Sequence, residues 1–182
     1  MAPRTVTSRP AVPPPVPESG YQLAQINIAR LKSPLDPPPL ADFVAALDPV
    51  NAAADTADGF VWRLQGDTGN ATDVPVLGDS WLIVNLSVWR DVDSLTAFMY
   101  GGQHRELLRR RREWFERVRE AVTALWWVPT GHRPTVAEAE ERLLRLRANG
   151  PSPYVFSLRE PHPAPAPGAA PAAPGAAECA TG

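Results

Sequence analysis

Residues 81–91 read WLIVNLSVWRD. Leu82, Val84, Leu86 and Val88 fall on one side of an extended chain, and Ile83, Asn85, Ser87 and Trp89 on the other, which is the period of a β-strand. One side is wholly aliphatic; the other mixes amide, hydroxyl and indole. Such a strand needs partners, and the chain supplies them in both directions. Upstream, FVWRLQG from Phe60 to Gly66 sets Phe60, Trp62 and Leu64 against Val61, Arg63 and Gln65. The turn-forming stretch DTGNATDVPVLGDS then joins it to the first strand as a hairpin. Further upstream, in YQLAQINIARLK from Tyr21 to Lys32, Ala24, Ile26 and Ile28 alternate with Leu23, Gln25, Asn27 and Ala29.

Helical segments fill the gaps. SPLDPPP admits neither helix nor central strand. LADFVAALDPVNAAADTA reads as a helix that ends at Asp48-Pro49 and restarts. Downstream, Asp93 or Ser94 is placed to cap a helix through SLTAFMYGGQHRELLRRRREWFERV. Its apolar positions change sides: Leu95, Phe98 and Met99 cluster opposite Leu107, Leu108, Phe115 and Val118. The spacing therefore predicts a break at Gly101-Gly102. TALWWVP is a strand that sends Trp126 and Trp127 to opposite faces. Thr135 with Glu138 starts a last helix, which stops at Gly150-Pro151. YVFSLRE, from Tyr154 to Glu160, reads as a final strand.

The order β-α-β-β-α-β-α-β is α+β. It contains the split β-α-β of ferredoxin-like folds, extended by a C-terminal helix and strand, with the helices expected on one sheet face. The apolar face (Ala24, Ile26, Ile28 and their counterparts) is expected to carry them.

Composition sets the boundaries. Of 22 prolines in 182 residues, six lie between Pro3 and Pro17 and six between Pro161 and Pro174. Residues 1–19 and 161–182 are too poor in large apolar side chains to offset their ordering entropy and read as disordered tails around one domain, 20–160. No apolar run reaches membrane-spanning length, and no signal-peptide pattern opens the chain, so a soluble, cytoplasmic protein is expected. The single cysteine, Cys179, lies in the C-terminal tail and supports neither disulfides nor a cysteine-based zinc site. A net charge of −2, with Glu106, Glu113 and Glu116 interleaving the Arg109–Arg112 run, speaks against nucleic acid. Phosphate-loop, dinucleotide and nucleophile-elbow motifs are absent from the sequence, so neither ATP, NAD nor zinc chemistry is supported.

The mixed sheet face gathers Gln25, Asn27, Arg63, Gln65, Asn85, Ser87 and Trp89. Exposed sheets usually carry Lys and Glu, and this one carries neither, which suits a cavity orienting a mostly apolar ligand. Tyr100, His104, Leu107, Arg111 and Trp114 form one mixed helical stripe. Arg63, on that face, needs either an acidic partner or an anionic ligand.

The segments NAAADTADGFVWRLQ, NLSVWRDVDSLTAFMYGGQHRELLRRRREWF, LWWVPTGHRPTVAEAEERL and YVFSLRE resemble the bacterial domain-of-unknown-function family 3291 from about Tyr21 to Glu160. That family is similar in fold to the dimeric α+β barrel superfamily, which includes antibiotic-biosynthesis monooxygenases and muconolactone isomerase. The resemblance implies a homodimer in which two sheets pair into a barrel, and a cavity for a small apolar or aromatic metabolite of secondary metabolism. The resemblance names no reaction; the expectation is oxygenation or isomerisation/cyclisation without a nucleotide cofactor, for which Asn27, Trp89 or Trp62, and His104 are the catalytic candidates, by similarity to the Asn, Trp and His of the superfamily's cofactor-free monooxygenases. Gln25, Arg63, Gln65, Asn85, Ser87, Tyr100, Arg111 and Trp114 are the candidate substrate-binding residues. The pattern of the haem-degrading relatives is not met, because Phe98 and Tyr100 sit too close to His104. No cofactor is expected, although haem on His104 is a further alternative, and a non-catalytic binding or scaffold protein is another. A metal site is not expected, nor is a membrane partner.

Overall fold

The computed structural model describes residues 19–35 and 38–173; the N-terminal tail through residue 18 and Cys179 lie outside these. Four strands form one antiparallel sheet in the order β2-β3-β1-β4: β1 is Tyr21–Arg30, β2 Phe60–Arg63, β3 Leu82–Trp89 and β4 Thr123–Pro129. The helices are α1 (Ala41–Asp55), α2 (Val92–Tyr100), α3 (Gly102–Trp114) and α4 (Val136–Asn149). This is the ferredoxin-like split β-α-β with one added helix.

Register fixes the two faces. Ala24 pairs with Val88 and Trp126, Ile26 with Leu86 and Ala124, and Ile28 with Val84, so the aliphatic residues share one face. Leu23 pairs with Trp89 and Trp127, Gln25 with Ser87 and Leu125, and Asn27 with Asn85 and Thr123 on the other. The helices are divided between the faces rather than gathered on one. On the aliphatic face, Ala139, Leu143 and Leu146 of α4 join Ile26, Leu86 and Trp126 in a single core, with Val76 from the long β2–β3 connection. On the mixed face, Leu95, Phe98 and Met99 of α2 pack with Leu23, Trp89 and Leu125. Phe43 of α1 and Leu107 and Trp114 of α3 meet Ile83 there. The aliphatic alternation thus marks the face taken by α4, and α1 to α3 cover the two ends of the mixed face. Both faces carry enough large apolar groups to bury a helix, so hydrophobicity alone does not order them.

Local departures follow the same logic. A bulge between Phe60 and Trp62 turns Phe60 to the mixed face, where its ring meets Trp89 edge-on at 5.3 Å, while Trp62 stays on the aliphatic side. α1 runs through Pro49 instead of ending there; Ala45, whose carbonyl the proline leaves unpaired, and Pro49 are both exposed, so water can serve that carbonyl. The cap of α2 is Asp91, two or three residues earlier than expected, accepting from the Ser94 amide at 2.7 Å. Thr135 caps α4 as its sequence predicts, accepting from the Glu138 amide at 3.1 Å.

The break between α2 and α3 falls at Gly101. A Cβ there would meet the Ala97 carbonyl oxygen at 2.7 Å, and Gly102 has φ +43°, so both glycines are required by the turn. The expected final strand is reduced to isolated bridges: Phe156 exchanges both amide bonds with Leu125, at 2.8 and 2.9 Å. Beyond it the proline- and alanine-rich stretch is held to the domain as far as Ala169, since Trp127 Nε1 donates to the His162 carbonyl at 2.9 Å and the Tyr21 hydroxyl to the Ala169 carbonyl.

Candidate functional site

The polar groups of the mixed face divide into two sets. At the α2 end, Trp89 Nε1 donates to Ser87 Oγ at 3.0 Å, and Ser87 Oγ donates to Gln25 Oε1 at 2.9 Å. All three residues are buried. This is a satisfied chain inside the core, and its indole N–H is already taken. Two residues further along the sheet, Asn27 Nδ2 donates to Thr123 Oγ1 at 2.7 Å, Asn27 and Thr123 are half-buried, and Asn85 is exposed. β2 ends at Arg63, and the exposed Gln65 follows in line with Asn85. Gln65, Asn85, Asn27 and Thr123 thus form an uncharged polar row across the sheet, open at its β2 side. Thr123 is the member that sequence reasoning missed. Its alternation with Leu125 and Trp127 in TALWWVP was the available signal.

His104 lies in the first turn of α3. Its Nδ1 is 3.0 Å from the Met99 carbonyl, which only accepts, so Nδ1 carries the proton and Nε2 is left as an acceptor. Burial pushes its pKa below the ordinary histidine value against the opposing effect of that bond, which keeps the imidazole neutral at pH 7. Its ring stands 4.9 Å from Phe98, which in turn is 5.1 Å from Trp89. His104 therefore belongs to the Trp89 end. Asn27 pairs with Asn85, four residues along β3 from Trp89, or about 13 Å at the usual strand rise. Asn27, Trp89 and His104 do not converge on one substrate atom.

The remaining candidates are dispersed. Arg63 is paired with Asp55 of α1, Nε to Oδ1 at 2.8 Å, and donates through Nη1 to the Gly69 carbonyl at 2.8 Å. Its charge is met within the chain. Trp114 is buried between Phe43 and the Arg110 guanidinium, 4.7 Å above its ring, and is a packing residue. Tyr100 is exposed at the α2 terminus, and Arg111 is exposed with one bond to the Leu108 carbonyl at 3.3 Å. Neither reaches the polar row through a hydrogen bond.

A cavity of about 280 Å³, half open to solvent, lies at the other side of the sheet, beside Ile28, Leu82 and Val122, with Arg30, Asp79, Glu120 and Arg147 around it. No histidine lines it, so the residues there do not fit a haem held through an imidazole, and His104 has its neighbours on the opposite face. Among the described residues no cluster of His, Cys, Asp and Glu has metal-site geometry, and no helix is long and apolar enough to cross a membrane.

These features define a ferredoxin-like α+β domain with an uncharged polar row on the sheet face that carries α1 to α3. The chain belongs to the family described as "Domain of unknown function (DUF3291)", whose model matches residues 22–171. No curated protein matches it. Among solved structures it is similar to a protein of unknown function from Nitrosomonas europaea, at 14% identity over 64% of this chain and 96% of that one, with a TM-score of 0.40. It is likewise similar to Rv0793 from Mycobacterium tuberculosis, at 14% identity over 63% and 99%, with a TM-score of 0.42. A third is a conserved protein of unknown function from Bacteroides thetaiotaomicron, described as a possible oxidoreductase, at 9% identity over 61% and 98%, with a TM-score of 0.38.

Proposed function

We propose that this domain binds a small, mostly apolar or aromatic metabolite bearing a neutral hydrogen-bonding group, which it receives over the Gln65–Asn85–Asn27–Thr123 row. The observation that carries the reading is the exposure of Asn85 on β3, between the helices that cover both ends of its face. An amide in that position offers a donor and an acceptor without charge, beside apolar neighbours such as Ile83. The row lacks Lys, Arg, Asp and Glu, which favours a neutral ligand over an anion.

A catalytic reading of the same face rests on His104. A neutral imidazole whose Nε2 has no hydrogen-bond partner among the described residues is a competent base near neutral pH, and the oxygenase- or isomerase-like chemistry of the barrel superfamily would draw on it to deprotonate a phenol or an activated carbon. The buried Gln25–Ser87 pair separates it from the polar row, so a substrate reaches both only if α2 shifts.

The test uses 1-naphthol as probe, with naphthalene as the apolar control, followed through the side-chain amide resonances of Asn27 and Asn85. Saturable movement of both amides with 1-naphthol alone is expected, as is a loss of about fivefold to tenfold in affinity for Asn85→Leu, the worth of one net hydrogen bond. Unmoved amides, or equal affinity for naphthalene, would overturn the reading. The catalytic extension requires that His104→Ala abolish turnover of a bound phenol and leave its affinity intact.

A further inference from the structure

The cavity on the aliphatic face is a second and separate feature, and nothing in the proposed function uses it. Its apolar wall comes from Ile28 of β1, Leu82 of β3, Leu77 before β3, and Val118 and Val122 before β4. Its polar rim carries two cations and two anions, Arg30, Arg147, Asp79 and Glu120. Each arginine is held by its neighbours. Arg30 pairs with Asp79 through Nη1 and with Glu116 through Nε at 3.2 Å. Arg147 donates from Nε to the Ala121 carbonyl at 2.8 Å and pairs with Glu120 through Nη1 at 3.1 Å. Both guanidiniums are thereby oriented, and among the described residues the Nη2 of each is left without a partner. On the anionic side, Asp79 is further occupied by the Trp81 amide at 2.9 Å, whereas Glu120, two-thirds exposed, has among the described residues only its ion pair with Arg147.

A rim of both signs discriminates. A simple anion would gain from the two Nη2 groups and lose to the carboxylates beside them, and a simple cation meets the reverse. A net-neutral molecule that presents both signs gains from each. The volume, about 280 Å³, is at the small end for a ligand site, and the aliphatic wall asks for an apolar body. We propose that this cavity is a binding site for a zwitterion with an apolar side chain, of the α-amino-acid class. The carboxylate lies between Arg30 and Arg147, the ammonium faces Glu120, and the side chain rests on Ile28, Leu82 and Val122.

Titration calorimetry of the full chain with L-phenylalanine tests this, with 3-phenylpropionate lacking the ammonium and phenethylamine lacking the carboxylate. One-site binding of L-phenylalanine is expected, with each comparator weakened at least about tenfold. Arg147→Gln should weaken it by a similar factor. Val118→Trp fills the space while leaving every ion pair in place, and should abolish binding in a protein whose circular dichroism is unchanged. No saturable heat up to about 10 mM L-phenylalanine would overturn the site. So would binding that survives Val118→Trp, and 3-phenylpropionate binding as tightly as phenylalanine would overturn the zwitterion assignment.

Discussion

His104 shows how one buried titratable group reports on its surroundings. The Met99 carbonyl fixes which ring nitrogen holds the proton, and desolvation makes the second protonation unfavourable, so its pKa in the folded chain lies below the value near 6.5 of an unfolded one. Between the two values the unfolded chain binds more protons than the folded one, and stability rises with pH there. The contribution is fully present above about pH 6.5 and is lost as pH falls through the folded pKa. Replacing His104 by Asn keeps a donor for Met99 but removes the titration. The stability difference between the two proteins, from urea denaturation, should be constant above pH 7 and should shrink in favour of the variant below about pH 6.5. A difference that grew in favour of the wild type on acidification would mean that His104 is charged in the fold.

At the level of elements, the α2–α3 break decides where His104 stands. Gly102 occupies the left-handed region, where an L side chain costs about 1–2 kcal/mol, so Gly102→Ala should lower stability by about that amount. Gly101→Ala should cost more, because its new methyl meets the Ala97 carbonyl and the backbone must move. Urea denaturation of both variants gives the order, and equal losses would show that the break relaxes freely. This break was legible in the sequence because the apolar positions change sides across two glycines. β3 was legible for a similar reason, eight residues of unbroken alternation. The bulge at Phe60–Trp62 was not, since a one-residue slip inverts a face without altering the pattern of residue types. The last strand was misread because YVFSLRE has strand composition, whereas its pairing with the sheet is limited to the Phe156–Leu125 bridge and Ser157 bridges to Glu160 instead. Three of the four members of the candidate row, Gln65, Asn85 and Asn27, were legible as amides on alternating positions. That Trp89 and Ser87 satisfy each other inside the core, and so leave the row, depends on side-chain directions that alternation does not carry. The cavity was hidden for another reason: its four charged residues come from four separated segments.

For the whole molecule, the question is which face remains for a second chain. A closed barrel of two sheets would use the face turned away from α1 to α3, and here that face is filled by α4, with Ala139 and Leu143 fully buried against Ile26, Leu86 and Trp126. Trp126 is also tied to α4 directly, its Nε1 donating to Glu138 at 2.9 Å, while the other Glu138 oxygen takes the His132 ring at 2.8 Å and so fastens the β4–α4 turn. A homodimer, which the family resemblance implies, must therefore either form elsewhere on the surface or displace α4. The two cases make opposite demands on Leu143. If α4 stays, Leu143→Ala leaves a cavity in the main core and should cost about 2–5 kcal/mol, with a denaturation midpoint independent of protein concentration if the chain unfolds as a monomer. If pairing strips α4 from the sheet, Leu143 becomes a surface residue, its truncation costs little, and the midpoint rises with concentration. Sedimentation of wild type and variant alongside the urea curves separates them. We expect the large loss, because Leu143 and its sheet neighbours are already packed without any contribution from a second chain.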